Sequence, residues 1–192
     1  MIQEKERSAI SGILAVVVLL VVVAITVGVF VAVARDTPKS EVGRPLLLFL
    51  LALALEVFLF AGLFAVQPNQ GVLLQLFGDY TGTVKQPGLR WANPLYTKKR
   101  VSMRVRNFET GRLKVNDQDG NPIEIAAVVV WRVFDTAEAV FHVDNFENYV
   151  HVQSEAALRN LATAYPFDSH EESQMSLRGH TAAVATQLQK EV

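Results

Sequence analysis

Two apolar runs, residues 10–34 and 46–66, constrain this chain more than anything else in it. The first holds 21 hydrophobic residues of 25, interrupted by Ser11, Gly12, Thr26 and Gly28, and the second holds 19 of 21, with Glu56 and Gly62 as exceptions. A hydrocarbon core of about 30 Å takes roughly 20 consecutive apolar residues as helix, and both runs reach that length. Setting them aside leaves about 58 hydrophobic residues in 146, roughly 40%, somewhat below ordinary globular usage. The expected layout is an N-terminal tail over 1–9, a transmembrane helix over 10–34, a charged loop over 35–45, a second transmembrane helix over 46–66, and a water-soluble domain over 67–192.

The first run also carries Ala32-Val33-Ala34, the small-x-small form read by signal peptidase. It is far longer than a signal core of about 15 residues, and Glu4 and Glu6 offset Lys5 and Arg7 ahead of it, so both spans are expected to remain. Charge counting leaves orientation open. Arg35, Lys39 and Arg44 in the loop face Lys5, Arg7 and Lys85 on the other side, with the loop the denser of the two. The chain has no cysteine, which forbids disulfides and thiolate metal sites and fits either compartment.

Beyond the spans, Gln67-Pro68-Asn69-Gln70-Gly71 is turn chemistry, and few residues separate bilayer from domain. Val72 to Phe77 reads as a strand, followed by short extended pieces punctuated at Gly78, Gly82 and Pro87-Gly88. Thr97 to Arg106 alternates with the period of two of a half-buried strand. Lys98, Arg100, Ser102, Arg104 and Arg106 fall on one face and Val101, Met103 and Val105 on the other. A further strand up to Val115, the turn cluster Asn116 to Pro122 and a β-branched run from Ile123 to Phe134 predict a hairpin.

The period then changes. Asp135 with Glu138, and Asp144 with Glu147, place an acid three residues before a glutamate at expected helix starts. Phe146, Tyr149, Val150, Ala157, Leu161 and Ala164 make one helical face, closed by Pro166. Asp168 with Glu171 repeats the cap before a last stretch still helical at Val192, which predicts a truncated C-terminal helix. Strands first and helices after give an α+β domain.

At this point the residues carry a resemblance. Gln86-Pro87-Gly88-Leu89-Arg90 with Asn93-Pro94, then Val101 to Arg106, then Val128-Val129-Val130-Trp131-Arg132-Val133-Phe134-Asp135, then Val143-Asp144 and Ala157-Leu158-Arg159, follow the order of the SPFH (Band 7) domain of stomatin, prohibitin and flotillin relatives. Residues 66 to about 165 resemble that family, in a bacterial-type form with a two-span anchor. The resemblance implies a twisted, mainly antiparallel sheet with helices. It also implies homo-oligomeric rings or cages in a bacterial plasma membrane, and regulation of membrane proteases or other membrane proteins.

Signs of catalysis are weak. His142, His151, His170 and His180 lack the convergent spacing of a zinc site, although His151 and Glu155 share a helical face. Asp117-x-Asp119-Gly120 has Val115 where a calcium loop needs its first ligand, and reads as a turn. No serine nucleophile or phosphate-loop context is present, so no catalytic, cofactor or metal residues are assigned.

Two features remain. Glu56, at the centre of the second run, is costly in a bilayer, and hairpin geometry brings Thr26 to its depth within one turn. Ala24, Gly28 and Ala32 make a small-residue stripe beside Thr26 that would permit close helix approach. A polar pair locking the hairpin is expected, with an ion or proton path through a channel or transporter subunit as the alternative. The second feature is charge polarity: residues 85–114 carry net +8 and residues 115–192 net −8. Lys98, Arg100, Arg104 and Arg106 are the expected basic face, meeting anionic headgroups or the acidic half of a second subunit. Nucleic acid is not expected, since the domain is near neutral and only Trp91 and Tyr96 lie near the basic run for stacking.

Overall fold

A computed structural model describes residues 4–38, 42–168 and 175–191. The chain divides into two compact units, Met1–Met103 and Arg104–Val192.

In the first unit a short strand β1, Ile10–Ser11, runs directly into helix α1, Gly12–Asp36, and helix α2 spans Gly43–Phe60. Five strands follow: β2 Leu63–Val66, β3 Gln70–Leu76, β4 Asp79–Val84, β5 Gly88–Trp91 and β6 Thr97–Ser102. Only Gly12 and Leu19 of α1 and Glu56 of α2 are buried. Helices this apolar and this bare suit an apolar solvent rather than a protein core. They touch through Phe30 and Phe49, whose rings stack with centroids 4.3 Å apart. The expected small-residue contact is not used at Gly28, where a Cβ would meet open space.

Helix α2 stops six residues short of the expected end of the second span. Leu63–Val66 pairs antiparallel with β5, so its backbone groups are satisfied in a sheet rather than along a helix. Gly62 permits the crossing, because a Cβ there would collide with the Ala92 carbonyl. Strand β5 lies between β1 and β2, and Trp91 is opposite both Ile10 and Leu63. Both ends of the helix pair are thus stitched to one strand.

The second sheet of this unit has the order β4-β3-β6. Val72, Leu73, Leu74, Thr83 and Val84 are fully shielded, and Phe64, Val66 and Ala92 complete the core. The N-terminal segment is not a free tail. Arg7 N donates to Thr83 O at 2.9 Å and Thr83 N to Lys5 O at 2.8 Å, so Glu6 bridges β4 in parallel.

The expected strand from Thr97 to Arg106 is broken. Ser102 is opposite Gln70, where β3 begins, so the β3 ladder ends there, and Met103 N donates to Asn69 O at 2.9 Å. Arg106 opens a strand of the second unit.

That unit contains β7 Arg106–Glu109, β8 Leu113–Asn116, β9 Pro122–Ile125 and β10 Val128–Trp131, then α3 Thr136–Phe141, α4 Phe146–Ala164 and α5 Thr181–Glu191. Strands β8 and β9 form the expected hairpin, and β7 pairs with β10. The single strand expected over Ile123–Phe134 is two, because Thr110 intervenes. Its N donates to Ala127 O and its Oγ1 accepts from Ala127 N, both at 2.9 Å, which substitutes a side-chain bond for a ladder bond.

Asp135 caps α3 as its spacing predicts, accepting from Glu138 N at 2.8 Å. The cap of α4 is Asn145, accepting from Asn148 N at 3.0 Å, and not Asp144. The buried face of α4 is Ser154, Ala157, Leu158, Leu161 and Ala162, rotated from the expected stripe, and Tyr149 is exposed. Glu171, the expected cap partner of Asp168, lies outside the described residues.

Candidate functional site

The densest polar chemistry of the first unit surrounds the end of α2. The last carbonyls of a helix have no intrahelical donors and carry its negative partial charge. Two side chains, one from each sheet, supply donors: Trp91 Nε1 to Leu59 O at 2.9 Å, and Lys98 Nζ to Ala61 O at 3.0 Å. Lys98 also lies over the Phe64 ring, 5.5 Å from its centroid, and burial there pushes its amine below the usual value.

The N-terminal segment is fastened nearby. Lys85 Nζ is 2.7 Å from Glu4 and 3.5 Å from Glu6. Burial alone would lower the Lys85 pKa, but hydrogen bonding and attraction to the two carboxylates overcome it and raise the value. Lys5 N donates to the Tyr80 hydroxyl and Arg7 to the Tyr96 hydroxyl, each at 3.2 Å. Gly82, at φ +151°, leaves room for this segment, since a Cβ there would be 3.0 Å from Lys5 O.

Between the helices, Thr26 Oγ1 and Glu56 Oε1 are 2.6 Å apart, the pairing expected from their depth. Because α2 ends at Phe60, Glu56 lies one turn before that end and not at the middle of the span. Thr26 Oγ1 is also 3.0 Å from Val22 O. Thr26 Oγ1 is the donor in both contacts, and its single proton is shared between the two acceptors. Glu56 is 4% exposed, and its Oε2 is buried with no hydrogen-bond partner among the described residues.

The expected basic face is divided. Lys98 and Arg100 belong to β6, with Lys98 half-buried against α2, while Arg104 and Arg106 belong to the second unit. Arg106 forms an ion pair with Glu147 and lies over the Trp131 ring. Lys114 pairs with Glu124 across the β8–β9 hairpin. Part of the charge polarity is therefore satisfied inside one unit.

The sequence reading overlooked the reach of Asp117. This residue is 5% exposed and accepts from Asp119 N at 3.0 Å, Asn121 N at 2.7 Å, Asn121 Nδ2 at 3.1 Å and Phe167 N at 3.0 Å. Burial would raise its pKa, yet four hydrogen bonds to the charged form hold it below the usual carboxylate value. The turn was legible from Asp117-x-Asp119-Gly120, but the bond to Phe167, fifty residues on, had no local signal. His151 stacks on Phe108 with ring centroids 4.7 Å apart and sits 3.7 Å from Glu155, while His180 accepts from Ser176 N at 3.3 Å. Among the described residues no group of three or more His, Asp or Glu converges as metal ligands, and His170 lies outside them.

A mixed α+β domain follows, without a linker, two helices long and apolar enough to cross a membrane, and β5 pairs with the strands on either side of them. The family model of the SPFH domain / Band 7 family matches residues 64–192, and the chain belongs to that family. The match begins at β2, inside the run expected as a second span, and extends beyond the resemblance legible in the sequence. Members are generally membrane-associated, oligomeric and non-enzymatic. No curated protein matches the chain.

Proposed function

We propose that this protein is a membrane-anchored scaffold, without enzymatic activity of its own, that assembles with copies of itself to organise a patch of bacterial plasma membrane and to regulate partner membrane proteins such as membrane proteases. The observation that carries this reading is the pairing of Trp91 with both Ile10 and Leu63. A domain fastened at both ends of its anchor sits at a fixed height and presents the same side to every neighbour. That is the geometric condition for lateral closure of identical subunits into a ring.

Electron microscopy of the protein extracted in mild detergent tests it: closed rings or cages are expected, and uniformly monomeric particles would overturn it. Cysteines placed singly at Ser40 and Gln118 should label from opposite sides of the membrane if the two helices form a spanning hairpin. The channel alternative has one observation in its favour, the buried Oε2 of Glu56, without a hydrogen-bond partner among the described residues. On the scaffold reading Glu56→Gln leaves assembly intact and changes no ion flux, and a flux abolished by it would favour the channel.

A further inference from the structure

The tip between β3 and β4 breaks the usual rules of its turn. Leu76 is opposite Asp79, so Phe77 and Gly78 form a two-residue connection with φ of +51° and +100°. Turns with positive φ at both positions favour Asn, Asp or Gly at the first, because a bulky side chain crowds the backbone there. Here that position holds phenylalanine, and its side chain is 85% exposed, the barest large apolar residue among those described.

Strand directions locate the tip. Strand β5 runs toward the end of α2, since Trp91 is opposite Leu63 and bonds to Leu59 O. The Asn93–Tyr96 turn reverses the chain, and β6 leaves again with Lys98 against Ala61 O. Because β3 puts Gln75 opposite Thr97, its continuation through Leu76 to Phe77 lies at the same end as this turn. Leu95, on the turn, is 51% exposed. Lys99 and Arg100, exposed on β6, stand back from it.

We infer that the β3–β4 tip is a second membrane contact, in which Phe77, with Leu95 beside the end of α2, inserts into the acyl region of the leaflet that α2 enters. The occupant of this surface is lipid because the tip continues the anchor's own boundary. An aromatic ring at that depth exchanges water for hydrocarbon, and neighbouring Lys and Arg reach headgroup phosphates. Asp79, at the base of the turn, stays in the headgroup layer.

The inference rests on the membrane-anchored reading, and the experiment separates the two. The protein has no cysteine, so single cysteines at Phe77, Gln67 and Leu20 can each carry an environment-sensitive fluorophore. The full chain is reconstituted in phosphatidylcholine/phosphatidylglycerol vesicles with or without brominated acyl chains. Leu20 lies on α1, and Gln67 beyond the opposite end of β3. Brominated lipid is expected to quench Leu20 and Phe77 labels several-fold more than the Gln67 label. Quenching at Leu20 with the Phe77 label as aqueous as Gln67 overturns the wedge and leaves the anchor; no quenching at Leu20 overturns the anchor as well. Self-quenching of the Phe77 label that rises with the labelled fraction places a second copy there instead, and overturns the inference. Phe77→Asn, which suits the turn, should match or exceed the parent in detergent melting temperature. In bilayers it should leave a label at Leu95 quenched less than half as much as in the parent, and unchanged Leu95 quenching overturns the paired insertion.

Discussion

The two units of this chain are held by different physics. In the first, Val72, Leu73, Leu74 and Val84 are sealed between strands and distant segments are drawn onto one sheet. In the second, apolar burial lies along α4 at Leu158 and Leu161, while two narrow ladders carry polar fasteners, Thr110 at Ala127 and Asp117 at Phe167, and Val128 and Val130 are exposed. Apolar burial is insensitive to pH and tolerant of angle, whereas hydrogen-bonded fasteners depend on geometry and ionisation. Asp117 is where the second unit is sensitive to pH.

The largest break in that contrast comes from the sealed sheet. Leu74→Ala removes a side chain 1% exposed and should cost about 2–5 kcal/mol, read as a lowered denaturation midpoint in detergent. A loss under ~1 kcal/mol would mean the first unit is not held by this core. Next in size is Gly82→Ala. It adds a Cβ beside Lys5 O at a positive φ and should cost roughly 1–2 kcal/mol from the conformation alone. Faster amide exchange at Arg7 and Thr83 would show the N-terminal segment released, and unchanged exchange there would show that Gly82 is not what admits it.

Asp117 sharpens the contrast through pH, with an effect expected below that of Leu74→Ala. Its carboxyl is held below the unfolded value, so the stability it supplies is complete above about pH 3.9 and is lost as pH falls through the folded-state pKa. Asp117→Asn should lower stability at neutral pH and flatten the acid limb of the second unit's unfolding curve. An acid limb identical to the parent's would remove Asp117 from that role. The smallest effect is between the helices: a Thr26→Val, Glu56→Gln cycle should show coupling of about 0.6 kcal/mol, and zero coupling would sink the pair as a lock.

What could be read from the sequence follows range. Helix α4 and the β8–β9 hairpin announced themselves through local period and turn residues. Thr26 and Glu56 were found because a short loop makes a helical hairpin nearly one-dimensional. The limits of α2 and β6 were misjudged because both depend on a partner elsewhere. Residues Leu63–Val66 are apolar enough for either helix or strand, and β5 decides. The alternation at Lys98 to Arg106 is real in sequence, but β3 has no residue left to pair beyond Ser102. The parallel bridge of Glu6 to Thr83 left no trace in composition or spacing.

That bridge has a consequence for how the chain is made. Thr83 leaves the ribosome 76 residues after Arg7, which at about 5–20 residues per second is a wait of roughly 4–15 s. Throughout that interval residues 5–7 lack the strand that pairs with them, and both apolar helices are synthesised before it arrives. The segment around Glu6 is therefore fastened long after it is made, and on the membrane-anchored reading closing it requires that it stand on the same side of the membrane as the sheet that receives it. Completion of the fold is in this sense a checkpoint on insertion: a chain whose hairpin entered incorrectly leaves the β4 edge beside Thr83 open.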